Sequence, residues 1–227
     1  MNLSIVVPIF NECATLATII KRIRATGLAK EILLVDDGST DGTRSILASM
    51  DKQSDIRVIL HPKNQGKGAA VRTGIQAATG DVILIQDADL EYDPRDYPAL
   101  LKPLEENITN VVYGSRFLGG PRRAVMFWHM LANYSLTFIT NILYNTILSD
   151  METGYKVFRR EVMDGIVLRA NRFDFEPEFT AKILKRHQHI YEVPISFNPR
   201  DYSEGKKIKM KDAFIAIWAL LKYRFVD

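Results

Sequence analysis

The sequence predicts an α/β fold: a mostly parallel sheet flanked by helices, with amphipathic helices toward the C-terminus. Near-continuous Val/Ile/Leu runs recur through the first half of the chain, as in parallel strands buried on both faces. Helix-patterned stretches separate these runs, as parallel pairing requires. Each run also ends in a polar or glycine-rich cluster, and in such sheets ligands bind outside the carboxyl ends of the strands.

The elements follow in order. Leu3 to Pro8 (LSIVVP) is the first strand, and Cys13 to Ala25 is patterned as a helix. Glu31 to Asp36 (EILLVD) and Thr43 to Met50 form the next strand and helix, then Ile56 to His61 and Lys67 to Ala77. Asp81 to Gln86 (DVILIQ) is the fourth strand. Ala124 to Ser149 contains no Asp, Glu, Lys or Arg, long enough to test as a membrane span. Its Asn133, Thr137, Thr140, Asn141 and Asn145 recur at helical spacing, so one polar face is expected on an amphipathic helix. Lys209 to Phe225 mixes Phe214, Trp218, Leu221 and Phe225 with Lys209, Lys211, Lys222 and Arg224. Its apolar run is too short to span a bilayer, so it either closes the core or lies on a membrane surface.

Composition bounds the function classes. The 227 residues are 47% hydrophobic and 25% charged, an ordinary globular balance with length for one sizeable domain. A net charge of +3 leans toward anionic partners such as nucleotides or acidic lipid and is too weak to argue for nucleic acid. The single cysteine, Cys13, excludes an internal disulfide. No signal-peptide pattern, repeat or flexible linker interrupts the chain.

The clusters after the strands carry the chemistry. They are Pro8 to Glu12, Asp36 to Thr43, Asn64 to Ala70, and Asp87 to Glu91. Mg²⁺ and Mn²⁺ take hard oxygen ligands, often one or two carboxylates plus substrate phosphates. Asp87 and Asp89, one residue apart at a strand end, suit that role; elsewhere such a pair serves as a turn or cap. Asp36 and Asp37 read equally as helix caps or as acceptors for a ribose or base. Gly66-Lys67-Gly68 lacks the spacing of a P-loop; it reads first as a tight loop opening a helix and second as a phosphate cradle. The four histidines form no metal-ligand set.

Taken together these pieces resemble the family-2 glycosyltransferases of GT-A, Rossmann-like fold. The resemblance runs through V-V-P-I-F-N-E, V-D-D-G-S-T-D-G-T, N-x-G-K-G-A-A, Q-D-A-D-L-E, Y-G-S-R-F, D-M-E-T-G-Y-K-V-F, F-E-P-E and P-I-S-F-x-P-R-x-Y-x-E-G-K-K. Within the family the chain looks most like the dolichol- and polyprenyl-phosphate sugar synthases. The resemblance implies that Pro8, Phe10, Glu12, Val35 and Asp37 surround the nucleotide. It places Asp87, Ala88 and Asp89 at the metal and diphosphate, with Glu91 completing the shell of Mg²⁺ or Mn²⁺. Arg116 would approach the acceptor or donor phosphate, and Asp150 would stand on the acceptor side. Arg200, Lys206 and Lys207 would lie in a loop, Pro199 to Ile208, that closes over the phosphates.

The implied catalytic set is Asp89, Arg116 and Asp150. Residues 1–115 would form the nucleotide-sugar half and 116–227 the acceptor half of one domain. Two departures bear on the acceptor. The basic residue that such synthases often place on the helix after G-S-R is absent here, where the chain reads Phe127-Trp128-His129-Met130 after Arg122 and Arg123. The Q-x-x-R-W signature of processive synthases is missing too. The expected reaction is inverting transfer from a UDP- or GDP-sugar to a polyprenyl phosphate, at the cytoplasmic face of a membrane touched peripherally. The alternatives are a soluble or glycan hydroxyl acceptor, with Asp150, Glu176 or Glu178 as base, and a non-catalytic nucleotide-sugar-binding protein. Glu176 and Glu178 could equally open a helix running to His187. A nucleotidyltransferase would carry a basic glycine-rich loop where Pro8 to Glu12 stands.

Overall fold

The computed structural model describes the whole chain except Lys52, Gly120, Arg122, Val125, Met126, residues 201–209 and Asp227, together with the side chains of 210–212. The chain alternates strand and helix from β1 (Leu3–Ile9) through α1 (Leu16–Ala25), β2 (Ala29–Asp36), α2 (Thr43–Met50), β3 (Ile56–Leu60) and α3 (Lys67–Ala77) to β4 (Val82–Ile85). It continues with α4 (Tyr97–Glu105), β5 (Val111–Ser115), α5 (Phe127–Tyr144), β6 (Lys156–Arg159), α6 (Phe175–Lys185), β7 (Ile190–Pro194) and α7 (Met210–Phe225).

The strands form one seven-stranded sheet in the order β3-β2-β1-β4-β6-β5-β7. All pairs are parallel except those of β6, which runs against both β4 and β5. The carboxyl ends of six strands, and the amino end of β6, therefore share one edge. The order reverses direction between β1 and β4, the switch point where such sheets open a crevice.

Local sequence explains the layers. All seven residues of β1 are buried, as a central strand with both faces covered requires. In α1 the buried Leu16, Ile19, Ile20 and Ile23 recur at helical spacing and face the sheet, while Arg22 and Arg24 suit its carboxyl end. On α3, Gly74 lies so close to Val6 that a Cβ there would collide with it, and Val35 would be in tight contact. Two clusters fill the two faces, one around Ile5, Leu34 and Leu84, the other around Val6, Ile83 and Phe179.

The sequence-predicted helix at 124–149 is α5, shorter at both ends. Its inward face is mixed, with Leu136 buried and Ile139 and Leu143 packed against the core beside two threonines. Thr137 and Thr140 are buried, while Phe127, Leu131, Tyr134, Phe138 and Ile142 form an exposed stripe. The final helix divides its apolar residues between the core and the surface. Ala216, Ala219, Leu220 and Tyr223 close the core, and Phe214, Trp218, Leu221 and Phe225 face outward. Among the described residues no helix is long and apolar enough to cross a membrane.

Candidate active site

The segment after β4 is shaped by one unusual residue. Leu90 adopts a left-handed backbone, φ 64°, a conformation a leucine takes only under constraint. This reversal brings the Glu91 amide back to donate to Asp89 Oδ1 at 3.1 Å. Burial, with Asp87 and Glu91 beside it, pushes the Asp89 carboxyl up to about 7, and Arg200 only partly offsets this. Negative charge is thus crowded where the strand ends.

Two cations answer it. Lys67, at the amino end of α3, lies 2.9 Å from Asp87 and 3.1 Å from Glu176 of α6. Burial disfavours its charge, but Asp87 and Glu176 more than compensate and hold its pKa well above the usual lysine range. Arg200 bridges Glu12 (3.1 Å) and Asp89 (3.2 Å), and its amide donates to Glu91 at 2.8 Å. Glu12, Asp89, Arg123, Pro199 and Arg200 line a cleft of about 410 Å³, within the range of small-ligand sites.

No three acidic, His or Cys side chains form a ready-made metal cage among the described residues. The donor chemistry nevertheless fits an ion that shares two carboxylates with substrate phosphates, since Asp87 and Asp89 stand together with surplus negative charge. Gly154 packs against Asp87 so closely that a Cβ would strike its carboxylate.

Beyond this pair lies a second, drier group. Arg116, following β5, meets both oxygens of Asp150 at 2.6 and 2.7 Å, and its amide donates to the same carboxylate. Asn133 of α5 donates to Asp150 at 3.0 Å and accepts from Arg116 at 3.3 Å. Burial alone would raise the Asp150 carboxyl, but the Arg116 charge and hydrogen bonds hold it below its ordinary value. Arg116 is also 5.2 Å from the Phe197 ring centroid, a cation–π distance.

The residues expected around the nucleotide are spread along the β1 and β2 ends. Pro8 and Val35 are buried, Phe10 is partly exposed, and Ala88 is buried between the two aspartates. Asp37 is spent on the loop that follows β3: it accepts from the amides of Gln65 (2.9 Å) and Gly66 (2.7 Å) and faces His61 Nδ1 at 2.9 Å. Asp36 likewise holds the Gly38 and Ser39 amides and Arg44. Neither carboxylate caps α2, whose N-cap is Gly42 and whose Thr43 amide is met by Asp41; both hold loop amides instead. Gly66 has φ 107°, and a Cβ on it would run into the Asn171 carbonyl, so the tight loop needs glycine there. Lys206, Lys207, Arg122 and most of the expected closing loop lie outside the described residues.

Sequence reasoning missed Lys67, Tyr92, Asn133, Gly154 and Lys156. For Lys67 a signal existed. A cation at a helix amino end opposes the dipole, so a lysine between two glycines there implies facing carboxylates. The Tyr92 hydroxyl, which accepts from the Gly154 amide at 3.0 Å, left no such trace.

The family model "Glycosyl transferase family 2" matches residues 4–167. A dolichol-phosphate mannosyltransferase from Pyrococcus furiosus is 30% identical over 94% of this chain and 61% of its own. A dodecaprenyl-phosphate galacturonate synthase from Rhizobium johnstonii is 27% identical, over 91% of this chain and 62% of its own. The chain therefore spans about three fifths of the length of these two relatives. Among solved structures, glucosyl-3-phosphoglycerate synthase from Mycobacterium tuberculosis, in complex with Mn²⁺, UDP and phosphoglyceric acid, superposes with a TM-score of 0.76. It is 22% identical, and the match covers 100% of this chain and 79% of that one. That likeness establishes the shared fold.

Proposed function

The chain belongs to glycosyl transferase family 2, and from that premise we propose an inverting, Mg²⁺- or Mn²⁺-dependent hexosyltransferase. It moves a sugar from a UDP- or GDP-sugar to a polyprenyl phosphate, working peripherally on the cytoplasmic face of a membrane. The observation that carries the acceptor is the apolar stripe that α5 leaves exposed. Asn133, Thr137 and Thr140 turn inward, Asn133 onto the Arg116–Asp150 pair, while Phe127, Leu131, Tyr134, Phe138 and Ile142 face outward. Helix α7, which packs on α5, exposes apolar residues of its own. A lipid chain has an apolar surface to follow, and its phosphate would meet Arg116 at the inner end.

The chemistry follows from the charges. Asp87 and Asp89 would hold the ion, which when bound offsets charge on the departing diphosphate. Lys67 stays protonated beside them and Arg200 closes the cleft from the other side, both preorganised toward a phosphate group. Asp150 stays ionised, so it serves as the counter-ion that orients Arg116 rather than as a base. A lipid phosphate is anionic at neutral pH and needs no base.

Incubation with UDP- and GDP-sugars, Mn²⁺ and undecaprenyl phosphate in detergent tests this reading. Sugar should move to the lipid fraction, and EDTA should stop it. Transfer to soluble sugars at a rate indifferent to lipid phosphate would reassign the acceptor. Donor binding without turnover would make the chain a binding protein.

A further inference from the structure

The turn from Ser149 to Lys156 is gripped from several sides. Glu192 of β7 accepts from the Ser149 amide at 2.8 Å and the Asp150 amide at 3.0 Å. The Met151 amide donates to Thr137 of α5 at 3.1 Å, and the Thr153 hydroxyl donates to the Gly114 carbonyl of β5 at 2.5 Å. Two further carbonyls of the turn, those of Met151 and Thr153, accept from one ammonium, Lys156 Nζ, at 3.1 and 2.5 Å.

Lys156 opens β6 and is wholly buried, its Nζ 4.4 Å from the Tyr113 ring centroid. The next two strand residues, Val157 and Phe158, are apolar and equally buried, so the sheet itself has no need of a cation. Burial pushes the lysine pKa down to about 8 although Glu176 and Glu152 lie near. A charge kept at such a cost needs a reason in the groups it holds.

We infer that Lys156 is a positioning residue for the acceptor side: its ammonium fixes the backbone just after Asp150, and with it the angle at which Asp150 presents Arg116. The donor side has a second hold of its own, on the amide of the same peptide whose Thr153 carbonyl Lys156 grips. Gly154, against which Asp87 packs, is tied to the Tyr92 hydroxyl. The inference rests on the reading of Arg116 as the group that meets the acceptor phosphate.

Lys156→Met keeps the stem and removes the donors, while Lys156→Gln keeps a shorter amide donor. Transfer to undecaprenyl phosphate, using whichever donor the wild type accepts, gives the acceptor KM. Calorimetry with UDP or GDP in Mn²⁺ gives donor-side affinity. The Met variant should raise acceptor KM about tenfold and leave nucleotide affinity within about twofold, the signature of one lost contact set. The Gln variant should fall between, and it decides the matter if Lys156→Met proves insoluble. An unchanged acceptor KM, or equal loss on both sides, overturns the inference while wild-type turnover leaves the functional reading standing. A wild type that transfers nothing to lipid phosphate overturns that reading, and the inference with it.

Discussion

Asp150 and Arg116 form a bidentate pair with the carboxylate fully buried. Deleting one partner of such a pair leaves an uncompensated charge and costs about 3–5 kcal/mol. Asp150→Asn should therefore lower unfolding stability by roughly that amount at neutral pH. The sign of its pH dependence is fixed. The Asp150 carboxyl is held below the ordinary 3.8 in the folded chain, so its stabilisation is present above 3.8 and lost as pH falls through the lower folded value. Denaturant unfolding at pH 7, 5 and 3 should show the gap between wild type and variant closing only at the acid end. A gap that persists unchanged at pH 3, or is absent at pH 7, would contradict the pairing.

Asp89 behaves oppositely. Its carboxylate is crowded by Asp87 and Glu91, so Asp89→Asn should leave the unfolding midpoint level or higher while transfer falls by roughly 10²–10³, as when a preorganised charge is removed. Paired losses of activity and stability would mean that Asp89 is structural. Asp87 and Asp89 were legible in the sequence because they follow directly on a buried strand. Lys67 left only the indirect signal of a cation at a helix amino end and Asn133 none, because their partners lie 20 and 17 residues away and meet only once helices cross the sheet.

At the scale of elements, the β1 to β4 stretch was readable because each strand is a run of β-branched and aliphatic residues bounded by turns. β6 was not. Four residues, Lys-Val-Phe-Arg, are too few to show a period, and nothing local sets strand direction. For α5 the sequence displayed a polar stripe but not which way it faces. The choice is made by Asp150, Met151 and Leu148, which take Asn133, Thr137 and Asn141 as partners. The apolar stripe is left outside, with Trp128 at 70% and Trp218 at 67% exposure. Burying each large apolar side chain at a membrane is worth about 1.5–3 kcal/mol. Phe138→Glu with Trp218→Glu should therefore cut flotation with anionic liposomes at least about tenfold, with no fall in the thermal midpoint of the free protein. Unchanged flotation would remove the membrane from the proposal.

At the scale of the molecule, the site is assembled from pieces far apart in sequence. Glu12 after β1, Lys67 on α3, Asp87 and Asp89 after β4, Glu176 on α6 and Arg200 beyond β7 touch one another through the pairs at the sheet edge. A donor diphosphate that binds among them would tie together strands, helices and the 200 region, which the unfolded chain does not do. At about 100 times its dissociation constant such a ligand adds about 2.7 kcal/mol. For a chain of this size each kcal/mol moves the midpoint by about 2–4 °C, so a rise of roughly 5–10 °C is expected with UDP or GDP plus Mn²⁺. The two carboxylates make the effect cooperative: metal alone lacks the phosphate oxygens, and nucleotide alone meets crowded negative charge. Each component singly should thus give a small shift, the pair a large one, and Asp87→Ala should abolish the difference. If nucleotide in EDTA matched nucleotide with Mn²⁺, the diphosphate would be held by Lys67 and Arg200 alone, and the metal would drop out of the mechanism.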